Sequence, residues 1–243
     1  MLTTLLQKTE STGLSDDAII DNLKTFFFAG FDTTAITLSY ALYSLSLHRE
    51  WIDKIVEEVR GLLEIDPTAP RLADRLRRAT YEDITAMKFT TAVVKETLRL
   101  YPSAQITTRH LEKPITLSGI TLPKGAAMVI PIWWIHRSPH NWKDPDEFRP
   151  QRFLVDKVDG KAGRRANSEG AHPYAWIPFS GGQCNCVGQR FAMLEAVAAL
   201  GALVYHLDFT YASDQPVVSV TTSFVQKPRD GIPMRVRARV HSK

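Results

Sequence analysis

Two cysteines stand one residue apart in this chain, in the segment Phe179-Ser180-Gly181-Gly182-Gln183-Cys184-Asn185-Cys186-Val187-Gly188. An apolar helical pattern follows at once, so the loop delivers Cys186 to the start of a helix. Amide N–H groups and the positive end of the helix dipole favour a thiolate over a thiol there. The glycines let the backbone pass close to a flat ligand. A sulfur held in this way suits a soft or borderline metal. A buried structural cysteine in a tight turn is the other reading of the same residues. A zinc site joining the cysteines to His136, His140 or His172 fits no common structural zinc spacing, and Pro139 disrupts a helical His pair. Ser180 lacks the first glycine of a nucleophile elbow, and no lysine follows the glycines as a phosphate loop requires.

Two further groups carry charge inside helical patterns. Glu96 and Arg99 share a helix face at i, i+3, a pairing that on an exposed surface contributes a few tenths of a kcal/mol. Asp32 lies in Ala29-Gly30-Phe31-Asp32-Thr33-Thr34, where Gly, Asp and Thr are poor helix formers. An acid among phenylalanines is costly unless it is used or paired; a solvated notch in the helix is the plainer alternative.

The elements that must position these groups follow from the pattern. Ser15 caps a long helix that begins with Asp16 and Asp17, runs through Leu47, and passes through the core between Phe26 and Tyr43. A second, amphipathic helix spans 49–63, with Glu57, Glu58 and Arg60 on its wet side. Pro67 and Pro70 break the chain, and 71–78 is a basic surface segment. Residues 84–100 are helical and stop before Pro102. Residues 105–135 read as hairpin strands with turns at Ser118-Gly119 and Pro123-Lys124-Gly125. A long irregular stretch, 138–173, precedes the cysteine loop; ordered loops of that length are usually functional. The helix 188–206 is apolar, and the tail 216–240 returns to strands with a turn at Arg229-Asp230-Gly231.

With 243 residues, 44% hydrophobic and 23% charged, the chain is long enough for a sizeable core. A net charge of +4 without a Lys/Arg tract does not argue for nucleic acid. Two cysteines make no disulfide framework, which suits a reducing compartment. The apolar start of the chain is ended by Gln7, Lys8 and Glu10, so no signal peptide is expected, and the apolar stretch 33–47 is too short to span a bilayer.

The cysteine loop resembles the haem-binding loop of the cytochrome P-450 family, with Phe179, Gly182, Cys186 and Gly188 at its marked positions. Glu96-Thr97-Leu98-Arg99 resembles the family's Glu-x-x-Arg helix, and Phe148-Arg149-Pro150-Gln151-Arg152-Phe153 its partner motif. Residues 29–34 resemble its oxygen-handling helix segment, and Arg109 stands at the family's spacing from Pro102. The resemblance covers almost the whole of 1–243, as the C-terminal part of one haem-thiolate monooxygenase domain, and implies a mainly α fold with small β-sheets.

The resemblance also implies roles. Cys186 would be the axial thiolate of a haem b iron, with Phe179, Gly182, Gly188 and Ala29 against the cofactor and Arg109 on a propionate. Glu96, Arg99 and Arg152 would form a buried triad. The long helix would open locally over the haem, where Asp32 would feed protons and Thr33 would bond the oxygen being activated. Residues 103–108 and 221–225 would line a pocket for an apolar substrate. The activity implied inserts one atom of dioxygen into that substrate and reduces the other to water. Electrons would come from an NADPH-dependent flavoprotein reductase docking near the cysteine, with Lys143, Lys157, Lys161, Arg164, Arg165 and Arg190 as candidate contacts. The family's eukaryotic members sit on the cytosolic face of the endoplasmic reticulum membrane, which this chain would reach only through a preceding part of the family fold.

Two departures stand out. The chain starts just before the long helix, so the N-terminal half of the family fold is expected to be missing. Cys184 stands where the family usually has Arg or His on a propionate, which implies weaker haem retention. A non-catalytic remnant, binding haem weakly or serving as an interaction module, is the alternative reading.

Overall fold

The computed structural model describes residues 15–62, 79–154, 172–217, 219–220 and 225–240. The basic segment 71–78, Lys157, Lys161, Arg164, Arg165 and the expected pocket residues 221–224 lie outside them.

The long helix α1 (Asp16–Leu47) starts as its sequence dictates, with Ser15 Oγ accepting from the Ala18 N–H at 3.2 Å and two aspartates in the first turn. Its burial differs from the expectation. Ile19 is covered, but Phe27, Phe28 and Phe31 are 73%, 71% and 68% exposed, and continuous core contact begins only at Thr34. The neighbouring elements meet α1 through Ile36, Tyr40, Ala41, Tyr43 and Leu45, all on its second half.

Helix α2 (Glu50–Leu62) buries Trp51, Ile52, Ile55, Val56 and Val59, one stripe at helical spacing. The single helix expected over 84–100 is two. A capping box between Thr80 and Asp83 starts α3 (Tyr81–Ala86), and the chain bends at Met87 before α4 (Lys88–Leu100). The bend carries Met87 into the core. There it meets Gly201, where an added Cβ would lie 2.5 Å from the Met87 Cε and 3.3 Å from the Val59 Cγ2, so a larger residue would make the Met87 side chain move.

Strands β1 (Thr107–His110) and β4 (Ala127–Ile130) pair antiparallel, as do β2 (Ile115–Leu117) and β3 (Ile120–Leu122). Ser118 and Gly119 both have positive φ, 48° and 82°, as a tight two-residue hairpin needs. The run Ile-Trp-Trp-Ile, read as strand, is instead the short helix α5 (Ile132–His136), closed by the Ile135 N–H on the Pro131 carbonyl at 3.0 Å. Its apolar residues carry a β preference that tertiary packing overrides. A 3-10 turn, Pro150–Phe153, follows.

Helix α6 (Gln189–His206) runs through the core beside α1, α2 and α4, burying Ala196, Val197, Leu200 and Val204. Strand β5 (Leu207–Tyr211), which no turn signal announces, leaves it directly and pairs with β8 (Met234–Ala238). Strand β6 (Ser219–Val220) pairs with β7 (Lys227–Pro228). The described residues therefore form a mainly helical body with four two-stranded sheets at its margins.

Candidate functional site

The cysteine loop is held at both ends of its turn. The Cys186 N–H donates to the Phe179 carbonyl at 2.9 Å, and the Gln189 N–H donates to the Cys186 carbonyl at 3.4 Å. Phe179 packs against the main core, which fixes where the loop leaves the body. Ser180 and Gly182 turn the chain with φ of 63° and 77°, and around the absent Cβ of Gly182 no atom lies within 4 Å. The Cys186 thiol is free and exposed. It precedes an eighteen-residue helix whose cap, Gly188, has no side chain to satisfy the first-turn N–H groups. A Cβ at Gly188 would touch the Cys186 Sγ at 3.8 Å, so the small residue leaves the sulfur clear.

Arg109, on β1, reaches this loop. Its guanidinium donates to Ser180 Oγ at 2.8 Å, to the Gly181 carbonyl at 3.1 Å and to the Cys184 carbonyl at 3.4 Å. It also donates to Thr107 Oγ1 at 3.0 Å and to the Thr108 carbonyl at 2.8 Å. Arg109, Thr107, Ile130, Ile135, Ile177 and Gly182 help line a cavity of about 290 Å³ beside the loop. The cavity has a cation and apolar walls, and Cys186, outside its lining, has a free sulfur at a helix N-terminus; haem, an apolar plate with carboxylates at its edge and an iron that takes a thiolate, would draw on all three.

The Glu96, Arg99 and Arg152 side chains are wholly buried. Arg99 grips Glu96 with two bonds of 2.7 and 2.8 Å, and Arg152 Nε donates to the same carboxylate at 3.3 Å. The Arg149 N–H adds a bond of 2.8 Å to Glu96 Oε1. Other guanidinium donors reach backbone carbonyls at the end of α5 and in the irregular stretch. Arg99 serves His136 and Glu147 at 2.9 Å and Pro145 at 2.5 Å, and Arg152 serves Lys143 and, at 2.7 Å, Asp144. One carboxylate on α4 thus organises a segment with almost no secondary structure of its own. Such a buried cluster stabilises little net but holds one geometry.

His136 is a residue the sequence offered only as a zinc candidate. It is fully buried, with Nδ1 3.2 Å from the Arg99 carbonyl and Nε2 accepting from the Ile177 N–H at 2.8 Å. Both ring nitrogens are therefore engaged in the neutral ring, and burial pushes its pKa down to about 3. His140 and His172 are exposed. The Trp176 Nε1–H donates to the Lys95 carbonyl at 3.1 Å, a second tie between α4 and the approach to the loop.

Glu58, expected on the wet face of α2, points inward. Its two oxygens accept from the N–H groups of Phe89 and Thr90 at 2.8 and 2.9 Å and from Thr90 Oγ1 at 2.8 Å. It caps α4, whose own N-cap residue, Met87, supplies no side-chain bond.

On α1, Asp32 pairs with Lys227 of β7 at 2.7 Å, a partner no sequence spacing suggests. The helix is unbroken through Asp32 and Thr33, in contrast to the local opening expected there. Thr33 Oγ1 donates to the Ala29 carbonyl at 2.7 Å, and Ala29 itself is exposed. The Thr33 carbonyl accepts from Thr37 Oγ1 at 2.9 Å and from Ser103 Oγ at 3.1 Å. Ser103 is buried rather than open to a pocket, and its carbonyl accepts from the Gln226 N–H at 2.8 Å. Val225 is likewise in the core, with Ile36, Tyr40 and Tyr43. Lys143 and Arg190 are exposed.

Residues 1–233 match the family model described as Cytochrome P450. The chain is 35% identical over 235 residues to Cytochrome P450 4X1 of Homo sapiens, covering 96% of this chain and 42% of that protein. It is 33% identical over 240 residues to Cytochrome P450 4d2 of Drosophila melanogaster (98% and 44%), and 35% identical over 202 residues to Cytochrome P450 3A9 of Rattus norvegicus (83% and 36%). It spans about two fifths of the length of these relatives. The match over nearly the whole chain, on a mainly helical fold with the cysteine loop at a helix N-terminus, places this chain in the cytochrome P450 family of haem-thiolate oxidoreductases.

Proposed function

We propose that this chain is the haem-holding part of a monooxygenase acting on an apolar organic substrate. The carrying observation is the free, exposed Cys186 thiol at the uncapped N-terminus of α6, clear of Gly182 and Gly188. Haem, when bound, supplies the activation of dioxygen, one atom entering the substrate and the other leaving as water.

The chain's own residues then divide the work. Cys186 would hold the iron through its sulfur and supply electron density to it. The helix N-terminus at Gly188 would favour that negative charge. Arg109, which donates to Ser180 and Gly181, would hold a cofactor carboxylate by charge-assisted bonds. Phe179, Gly182, Gly188 and Ala29 would lie against the cofactor. Asp32 and Thr33 hold and pass protons, with Lys227 paired to the Asp32 carboxylate at 2.7 Å. The Glu96, Arg99 and Arg152 cluster keeps the approach to the loop in one arrangement. A flavoprotein reductase drawing on NADPH delivers electrons near the loop, with the exposed cations Arg190 and Lys143 as candidate contacts. The full-length protein belongs at the endoplasmic reticulum membrane; among the described residues no helix is long and apolar enough to cross one.

The test is optical. The purified chain is loaded with haem, reduced under carbon monoxide, and its difference spectrum recorded. A thiolate-type Soret band is expected, and Cys186→Ala removes it. A band typical of a neutral axial ligand, or a thiolate band that survives in Cys186→Ala, refutes the assignment.

A further inference from the structure

Cys184 is left unused by the function proposed above. It lies in the turn that precedes Asn185 and Cys186, and both thiols are free and exposed. The chain holds no other cysteine, so each sulfur has the other as its sole thiol neighbour in the molecule. Two trans peptide steps of about 3.8 Å each bound the separation of their Cα atoms, and a bent chain shortens it towards the roughly 5.5–6 Å that a disulfide prefers.

The backbone holds the two unequally. Cys186 is fixed through its N–H on Phe179 and its carbonyl under Gln189. Cys184 is tied by one long contact, its carbonyl accepting from Arg109 at 3.4 Å. Ahead of it stands Gly182, in the left-handed region with open space around it. The Cys186 backbone is thus held by one short bond that Cys184 lacks, and Cys184 sits on the glycine-rich side of the turn.

We infer that Cys184 and Cys186 form an oxidative modification site, at which a hydroperoxide converts the dithiol to a Cys184–Cys186 disulfide. With hydrogen peroxide the Cys186 thiol takes one oxygen to become a sulfenic acid and one water leaves. The Cys184 sulfur then attacks the Cys186 sulfur; the S–S bond forms, the S–O bond breaks, and the hydroxyl leaves with the Cys184 proton as a second water. The two sulfurs together give up two electrons, and the peroxide takes them. A disulfide closed over so short a span is strained and exposed, which makes it easily reduced by a dithiol and so reversible. Its consequence rests on the haem reading: a sulfur bonded to Cys184 has no lone thiolate to give an iron.

The haem-free chain tests this directly. It is treated with hydrogen peroxide, its remaining thiols are alkylated, and intact mass and non-reducing electrophoresis are recorded before and after dithiothreitol. The expected product is a monomer two hydrogens lighter, with no alkylatable thiol, restored by dithiothreitol. Cys184→Ser and Cys184→Ala must both fail to give it. Disulfide-linked dimers, or a Cys186 carried to sulfinic acid while Cys184 stays free, overturn the proposal. A second arm adds haem to the reduced and the oxidised chain. The oxidised chain is expected to lose the thiolate-type band that the reduced chain shows. Absence of that band in the reduced chain refutes the haem assignment, while the mass result still decides the disulfide.

Discussion

The backbone N–H of Ile177 donates to Nε2 of the buried His136 at 2.8 Å, two residues before the Phe179 that seats the cysteine loop. Through its other nitrogen the same imidazole meets the Arg99 carbonyl, so one side chain joins α4, α5 and the loop.

That bond makes stability depend on pH. The His136 pKa falls from 6.5 in the open chain to about 3 when folded, chiefly through burial. The unfolded chain therefore binds the extra proton between these values, and stability rises with pH there. The contribution is complete above about 6.5 and is lost as pH falls towards about 3. Urea melts of the purified chain at stepped pH are expected to show this slope, and His136→Phe to flatten it. The variant also loses roughly 1 kcal/mol, because the part-buried Ile177 N–H is left without its partner. An unchanged slope in the variant would show that another group titrates.

Removing Glu96 takes from the buried Arg99 and Arg152 the carboxylate they share. Glu96→Ala is expected to cost about 3–5 kcal/mol in chemical denaturation, or to prevent folding. Glu96→Gln is the informative companion, keeping the shape but replacing the charge and one acceptor oxygen with an NH2 donor that faces N–H donors. It is expected to lose stability as well, and a urea midpoint equal to the parent's would show that the cluster needs neither the charge nor the second acceptor.

Glu58→Ala takes away the cap of α4. Three bonds from one carboxylate at a helix N-terminus predict a loss of about 1–2 kcal/mol, the upper range for capping groups. Urea midpoints check this, and an effect under about 0.5 kcal/mol, the ordinary range for surface substitutions, would count against it.

Cys184→Arg places a guanidinium where the family usually has a propionate partner. Haem transfer to an apoglobin trap is expected to slow in this variant, since a charge-assisted bond is added. An off-rate equal to that of the parent rules the exchange out as a cause of weak haem retention.

Much of this molecule was legible in one dimension. Ser15 with Asp16 and Asp17 announced α1, and Ser118-Gly119 announced the β2–β3 turn, because caps and turns are decided by neighbours within four residues. The Glu96 and Arg99 pair was legible as a motif, but its depth was not; the same spacing on a wet face would mean little. The break at Met87 escaped notice because nothing in the local pattern forbids a continuous helix; it exists where Met87 packs against Gly201 of α6. The exposure of Phe27, Phe28 and Phe31 escaped for a related reason, since hydropathy says what a residue favours and not what covers it.

By itself the sequence determined the helices, the turns, the cysteine at a helix start and the family these spell. Tertiary structure decided who meets whom. Glu58 caps Thr90 from 32 residues away, His136 reaches Ile177 across 41, and Asp32 finds Lys227 on the far strand. Those bonds join groups that no periodicity relates, and they form only once the fold has brought α1, α2, α4, β7 and the loop together.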